Sequence, residues 1–195
     1  MTASKRLTFR PLSADTWDDF EHLFGERGAC GGCWCMLWRL TSRQFKEQKG
    51  SGNRQAMRHL ANSKCSPGIL AYDLEAPIGW CAIAPRHEYP ALGRSRVLKP
   101  LDDQPVWSVS CFFIDKAYRR QGISTMLLNE AVEYAHASGA KIVEGYPVEP
   151  NNENYPAVFA WTGTTKTFKQ ARFKECTRRS PTRPIMRREI DADAP

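Results

Sequence analysis

The sequence predicts a mixed α/β domain, a central sheet of about seven strands with flanking helices. Three observations carry that expectation. About seven short runs have strand length and β-branched or aromatic content. One longer stretch after Gly122 places apolar residues at helical spacing. Strand and helix signals are interleaved along the chain, as in sheets covered on both faces.

The first strand is expected over residues 6–11, with Leu7 and Phe9 on one face. Ser13 or Asp15 can cap a helix through Trp17, Phe20, Leu23 and Phe24, which Gly25 and Gly28 end. A segment rich in Cys and Trp follows. Residues 41–64 are polar, and Met57, Leu60 and Ala61 mark a short helix there. After Pro67-Gly68, strands over 69–74 and 78–84 form a hairpin across Glu75-Ala76-Pro77. Residues 85–104, with four of the chain's prolines and glycines, read as a long irregular connection, a kind of loop more often functional than idle. A strand over 106–114 alternates Trp107, Val109, Cys111 and Phe113 with Ser108, Ser110 and Phe112. The helix from Gly122 presents Ile123, Leu127, Ala131 and Tyr134 on one stripe, and Gly139 stops it. A strand over 141–147, a helix over 156–171 and a closing hairpin of 173–179 and 184–190 complete the order. One domain over 1–195 is expected, with a core of about 6–190 and a frayed tail at 191–195.

The junction between the 106–114 strand and the next helix is the most informative site. Arg119, Arg120, Gln121 and Gly122 form a turn that hands two guanidinium groups and unpaired backbone N–H groups to a helix start. Such a terminus carries about half a positive charge and binds anions, and glycine lets the backbone approach closely. The strings of the nucleotide P-loop and the dinucleotide fold are both absent from the chain. Arg119-x-x-Gly122-x-Ser124 resembles the pyrophosphate loop of the GCN5-related N-acetyltransferase (GNAT) family, [Q/R]-x-x-G-x-[G/A], with Ser124 at the last position. The order of elements resembles that fold over nearly the whole chain. The segment FKQARFKEC resembles its closing F-x-x-x-G-F element, with Arg172 where glycine is usual.

The resemblance implies acetyl-CoA as co-substrate, its diphosphate held by Arg119, Arg120, Gln121, Gly122, Ile123, Ser124 and Thr125, and its pantetheine arm paired with the main chain near Phe113 and Ile114. It implies direct attack of an amine acceptor on the thioester, the acceptor being a small molecule or a protein amine. A non-catalytic sensor or partner module of the same fold is the alternative.

Composition is ordinary for a globular protein, 42% hydrophobic and 25% charged among 195 residues. No apolar run reaches the ~18 residues of a membrane span, and no secretory h-region opens the chain. Seven cysteines, an odd count lying partly in apolar runs, fit reduced thiols in the cytoplasm. The net charge of +7 suits coenzyme A and would suit nucleic acid, but no readable nucleic-acid motif accompanies it. A homodimer is left open.

Transfer to an amine requires loss of a proton from nitrogen and stabilisation of the leaving thiolate. Glu144, a carboxylate interrupting an apolar strand, is the foremost candidate base; the structural alternative is an ion pair with Arg119 or a C-terminal arginine. Asp115 is second. Many family members use a tyrosine four residues before the glycine–phenylalanine pair as general acid; here that position holds Phe168, leaving Tyr146 or Tyr155 for the role. Trp34, Trp38 and Arg39 are expected on the acceptor side, and Trp80 and Arg86 near its polar end with His87 and Glu88. Cys30-x-x-Cys33-x-Cys35 could supply soft ligands with His22, His59 or Cys65, but packing of free thiols is preferred and no metal is expected. The arginines at 178, 179, 183, 187 and 188 are expected to form a solvated face.

Overall fold

The computed structural model describes residues 7–150, 155–156 and 159–190. The expected strand start at Arg6, Val158 and the 191–195 tail lie outside the described residues. Seven strands form one sheet: β1 (Leu7–Pro11), β2 (Gly68–Asp73), β3 (Ala76–Pro85), β4 (Trp107–Ile114), β5 (Ile142–Gly145), β6 (Lys174–Arg178) and β7 (Pro184–Glu189), in the spatial order β1-β2-β3-β4-β5-β7-β6. All neighbours are antiparallel except β4 and β5, which run parallel. A parallel pair needs a crossover, and the amphipathic segment after Gly122 supplies it as a helix.

The helices are α1 (Trp17–Phe24), α2 (Ser42–Glu47), α3 (Ser51–Ala61), α4 (Pro90–Gly93), α5 (Ile123–Ala137) and α6 (Thr165–Gln170). On one face of the sheet, Leu127, Leu128, Ala131 and Val132 of α5 and Phe168 of α6 pack on Ile69, Ile78, Val109, Val143 and Met186. On the other, Trp17, Phe20 and Phe24 of α1 and Met57 of α3 meet Tyr72 and Trp80. Each such large apolar side chain contributes ~1.5–3 kcal/mol on burial.

Four sequence expectations are corrected. The polar stretch after Thr41 forms two helices, because Thr41 and Gln44 build a reciprocal capping box that starts α2. The connection after Pro85 holds a 3-10 turn at Arg86–Glu88 and the short α4. The last helix begins only at Thr165: Gly163 has φ 80, and Thr164 stands extended as N-cap, accepting from the Thr167 N–H. At the first helix neither Ser13 nor Asp15 occupies the cap; Thr16 does, without a side-chain cap bond.

Arg172 has φ 64, the left-handed backbone that explains why glycine is usual there. Arg172→Gly should raise stability by ~0.5–1 kcal/mol, read as a higher urea midpoint.

Two irregularities open the sheet. Between β3 and β4 the register passes from Ala82↔Cys111 to Ile83↔Val109, leaving Ser110 as a bulge. β4 and β5 pair only through Trp107↔Val143, Ser108↔Glu144 and Val109↔Gly145. Past that point β5 leaves, and the N–H of Phe112 donates instead to the carbonyl of Trp161 at 2.6 Å. Gly145 stands at the divergence, where an added Cβ would lie 2.0 Å from the Phe168 ring, so only glycine lets α6 come this close.

Candidate active site

β4 ends at Ile114, Asp115 caps the turn Lys116–Tyr118, and the chain reaches α5 through Arg119 to Gly122. Gly122 is left-handed, with φ 78. Among the described residues no acceptor takes the N–H groups of Gln121, Gly122, Ile123 or Ser124. Arg119 is fixed by its Nε bond to the Ile114 carbonyl at 3.0 Å, which leaves its outer nitrogens available. The sequence therefore folds locally into amides at a helix terminus flanked by cations, an arrangement complementary to a diphosphate. Gln121 and Thr125 turn elsewhere: their side chains bond the Ala117 carbonyl and the Gln170 side chain, at 3.0 and 3.1 Å, and hold the loop against its surroundings.

A cavity of about 480 Å³ opens from this loop. Phe112, Phe113 and Ile114 of β4 line it, with Tyr118, Arg119, Arg120, Gly122, Ile123 and Ser124. Ala160, Trp161, Gly163, Thr164 and Thr167 close it from the α6 side, and Ala29 and Cys30 from the opposite side. It thus touches segments from both sheet faces at the place where β4 and β5 part. No Asp, Glu or His is among its lining residues.

Glu144 and Tyr146 lie elsewhere. The Glu144 side chain is 0% exposed. Its Oε1 accepts from Arg86 Nη1 at 2.7 Å and from the Tyr146 hydroxyl at 2.7 Å, and its Oε2 accepts from Arg187 Nε at 2.7 Å. Arg86 also bonds Tyr146 and the Leu98 carbonyl, Tyr146 meets Ser108 at 2.8 Å, and Arg187 reaches Asp102. The carboxylate is therefore the hub of a buried network tying the 85–104 connection to β5 and β7. Burial first, then the adjacent Glu144, pushes the Tyr146 hydroxyl well above its ordinary value. Burial works against the Arg187 charge, but its bonds to Asp102 and Glu144 outweigh that and raise the guanidinium. The sequence alternative of a C-terminal arginine as partner is what the geometry displays. Arg187 is accordingly no part of a solvated face.

Of the residues expected around the acceptor, Trp34 and Trp80 are core side chains, 4% and 0% exposed. Trp34 stacks on Phe24, and Trp80 donates to Cys35 Sγ at 3.1 Å. Arg86 is spent on the Glu144 network. Arg39 is sequestered by Glu88 and the Tyr89 ring, beside a separate open cavity with Met36 and His59. Trp38 stays close, its ring 5.8 Å from that of Trp161. Asp115 uses Oδ1 to accept the Ala117 N–H at 2.8 Å, a turn role.

Among the described residues, no group of three or more His, Cys, Asp or Glu side chains is placed to hold a metal ion. Cys33 and Cys35 sit in packed surroundings, and burial followed by Cys35 pushes the Cys33 thiol up to about 11. A hydrogen bond with Cys35, and then burial, raises Cys111 as well. Thiols held protonated in this way are poor nucleophiles. Cys30 is the exposed member of the trio and the one that lines the cavity.

Sequence reasoning missed Ala29, Tyr118, Trp161, Thr164 and Thr167. Thr164-x-x-Thr167 carries a visible capping signal before an apolar residue. Trp161 carries none, since its irregular segment has no period to read.

A search of curated proteins finds no match to this sequence. A family model described as "Acetyltransferase (GNAT) family" matches residues 34–160. Among solved structures, a GNAT-family acetyltransferase from Streptococcus pneumoniae aligns at TM-score 0.54 with 17% identity, over 95% of this chain and 100% of its own. One from Listeria monocytogenes aligns at TM-score 0.58 and 9% identity, over 94% and 95%. The PaiA N-acetyltransferase of Thermoplasma acidophilum, solved with coenzyme A, aligns at TM-score 0.54 and 13% identity, over 94% and 99%. At these identities the likeness is one of fold, while the family model spans well over half of the sequence. With the mixed seven-stranded sheet and its β4–β5 divergence, this assigns the chain to the GNAT family of acetyltransferases, whose co-substrate is acetyl-CoA.

Proposed function

We propose that this protein transfers the acetyl group of acetyl-CoA directly to a bound amine, with no covalent acyl-enzyme. The observation that carries this reading is the cavity that joins the loop of free amides to segments from both sheet faces where β4 and β5 part. The amides of Gln121 to Ser124, with Arg119 and Arg120, would hold the diphosphate by charge-assisted bonds. Gln121 and Thr125 would act by shaping the loop, Ile123 by packing the helix start. The main chain at Phe113 and Ile114, just beyond the Phe112 N–H that is bonded to the Trp161 carbonyl, borders the cavity and would receive the pantetheine arm. Ala29, Cys30 and Trp161, with Trp38 behind it, would border the amine.

Glu144 takes the structural role in this reading. Both its oxygens are occupied by guanidinium donors, and it does not border the cavity. Tyr146 is held in the same network and is likewise withdrawn from acid catalysis. Without a carboxylate or imidazole in the lining, the proton leaves the amine to water, and the amine attacks as the fraction already free of its proton. The pH dependence follows. The kcat/KM should rise with pH and level off at the acceptor's own pKa, so the midpoint should move from one amine to the next.

Release of coenzyme A, followed with a thiol reagent across an amine panel between pH 6 and 9, tests this. A midpoint that stays put while the amine changes would indicate a base on the protein. Acetyl-CoA binding without release for any amine would favour the sensor reading. The seven free thiols are consistent with work in a reducing compartment such as the cytoplasm.

A further inference from the structure

With phenylalanine at 168, no phenol stands where the family resemblance puts the proton donor. The Phe168 ring is buried and meets Phe112 edge-on, centroids 6.2 Å apart. The residues around it are polar in a specific way. Thr164 and Thr167 both line the cavity, and Thr167 is only 9% exposed. The Thr164 Oγ1 accepts the Thr167 N–H at 3.3 Å, and the two hydroxyl oxygens are 3.1 Å apart. Two hydroxyls carry two hydrogens, and their mutual bond uses one. Among the described residues the second hydrogen has no acceptor. It is left for whatever occupies the cavity.

The position of the pair matters as much as its chemistry. Gly163, next to Thr164, lies against the Phe112 ring. That sets the hydroxyls beside Phe112 of β4, two residues before the strand ends at Ile114 and leads on to the Arg119–Gly122 loop. Other hydroxyls in the lining belong to Tyr118 and Ser124, which flank the loop itself.

We propose that the Thr164–Thr167 hydroxyl pair donates the hydrogen bond that stabilises the sulfur of coenzyme A as it leaves. The proposal rests on the acetyl-transfer reading above. The nitrogen lone pair forms its bond to the acetyl carbon, and the carbon–sulfur bond breaks with its electron pair kept by sulfur. The nitrogen's proton goes to water. The threonine hydroxyl keeps its own proton and shares it with the thiolate, which is protonated by water on release. Donors aimed at charge that develops in the transition state are worth about 10²–10³ in kcat when removed singly.

The direct readout is the ionisation of bound coenzyme A, followed by thiolate ultraviolet absorbance, beside calorimetric affinity for acetyl-CoA. In the native protein the bound thiol should ionise about one unit below a free thiol's ~8.5. In Thr164→Val/Thr167→Val it should return to the free value or above, with unchanged acetyl-CoA affinity and kcat lower by about 10²-fold. Thr164→Ser/Thr167→Ser should restore the low value. Thr164 also caps α6, so Thr164→Asp provides a second variant that keeps the cap. It should push the bound thiol's ionisation above the free value by repulsion. Equal titration in native and double-valine proteins, or serine behaving like valine, overturns the proposal. So does an unshifted thiol in Thr164→Asp. A native protein that binds no acetyl-CoA overturns the acetyl-transfer reading itself, and this proposal with it; the two failures are read on different instruments.

Discussion

Gly122→Val should abolish acetyl-CoA binding and leave the protein folded. Gly122 has φ 78, and among the described residues a Cβ placed there meets no atom within 4 Å beyond its chain neighbours. The position therefore has open space for the first carbon of the new side chain. The substitution's cost to the fold is the left-handed strain of a non-glycine residue, ~1–2 kcal/mol. Against a typical stability of ~5–15 kcal/mol, that leaves a folded domain. The new side chain would stand at the amides that would grip the diphosphate. Losing two charge-assisted bonds at ~1.5–3 kcal/mol each corresponds to an affinity drop of about 10²–10⁴. Calorimetric titration reads this directly, with circular dichroism as the control for folding. Unchanged affinity in a folded variant would remove the loop from the cofactor site.

Glu144→Gln should cost stability rather than chemistry. The carboxylate is fully buried between Arg86 and Arg187, whose side chains are 14% and 10% exposed. Removing the anion leaves a buried guanidinium, Arg86, facing an amide, while Arg187 keeps Asp102. Breaking one side of a buried pair costs ~3–5 kcal/mol because the remaining charge is uncompensated. For a chain of this length that is a fall of roughly 6–20 °C in Tm. Turnover below the new midpoint should remain near normal, and acetyl-CoA affinity should be unchanged. The competing expectation is that of a general base: undiminished Tm with turnover down by about 10²–10⁴, the deficit shrinking as pH rises. That second pattern would restore Glu144 to the chemistry and rule out a purely structural role for its network.

Both predictions concern residues that stood out in the sequence, and what the structure adds to each differs for a physical reason. The Arg119–Gly122 loop is a local object. Its shape depends on a turn, a glycine and the start of an amphipathic helix, and all of these are set by neighbours in the chain. Glu144 stood out because a charge inside an apolar strand is costly unless it is paired or used. The sequence could state that alternative but not resolve it. Arg86 lies 58 positions away and Arg187 lies 43 away, so the pairing exists only once β5 is bracketed by the 85–104 connection and β7.

The same distinction runs through the other residues. Trp34 and Trp80 were expected around the acceptor, but an aromatic residue suits a pocket wall and a core equally well. Their positions in the packed layer under α1 place both in the core. Thr164 and Thr167 fell inside the helix expected over 156–171, whereas α6 starts only at Thr165 with Thr164 as its N-cap. That their hydroxyls also line a cavity follows from Phe168 packing on Phe112 and Gly145, contacts between separate elements.

By itself, the sequence determined the order of the seven strands, the crossover helix after Gly122 and the family resemblance, because hydrophobic period and glycine placement act over a few residues. Only the tertiary structure decided which polar groups face the cavity and which are consumed by one another. That outcome depends on where strands diverge and on which distant charges meet, and neither is encoded within any single segment.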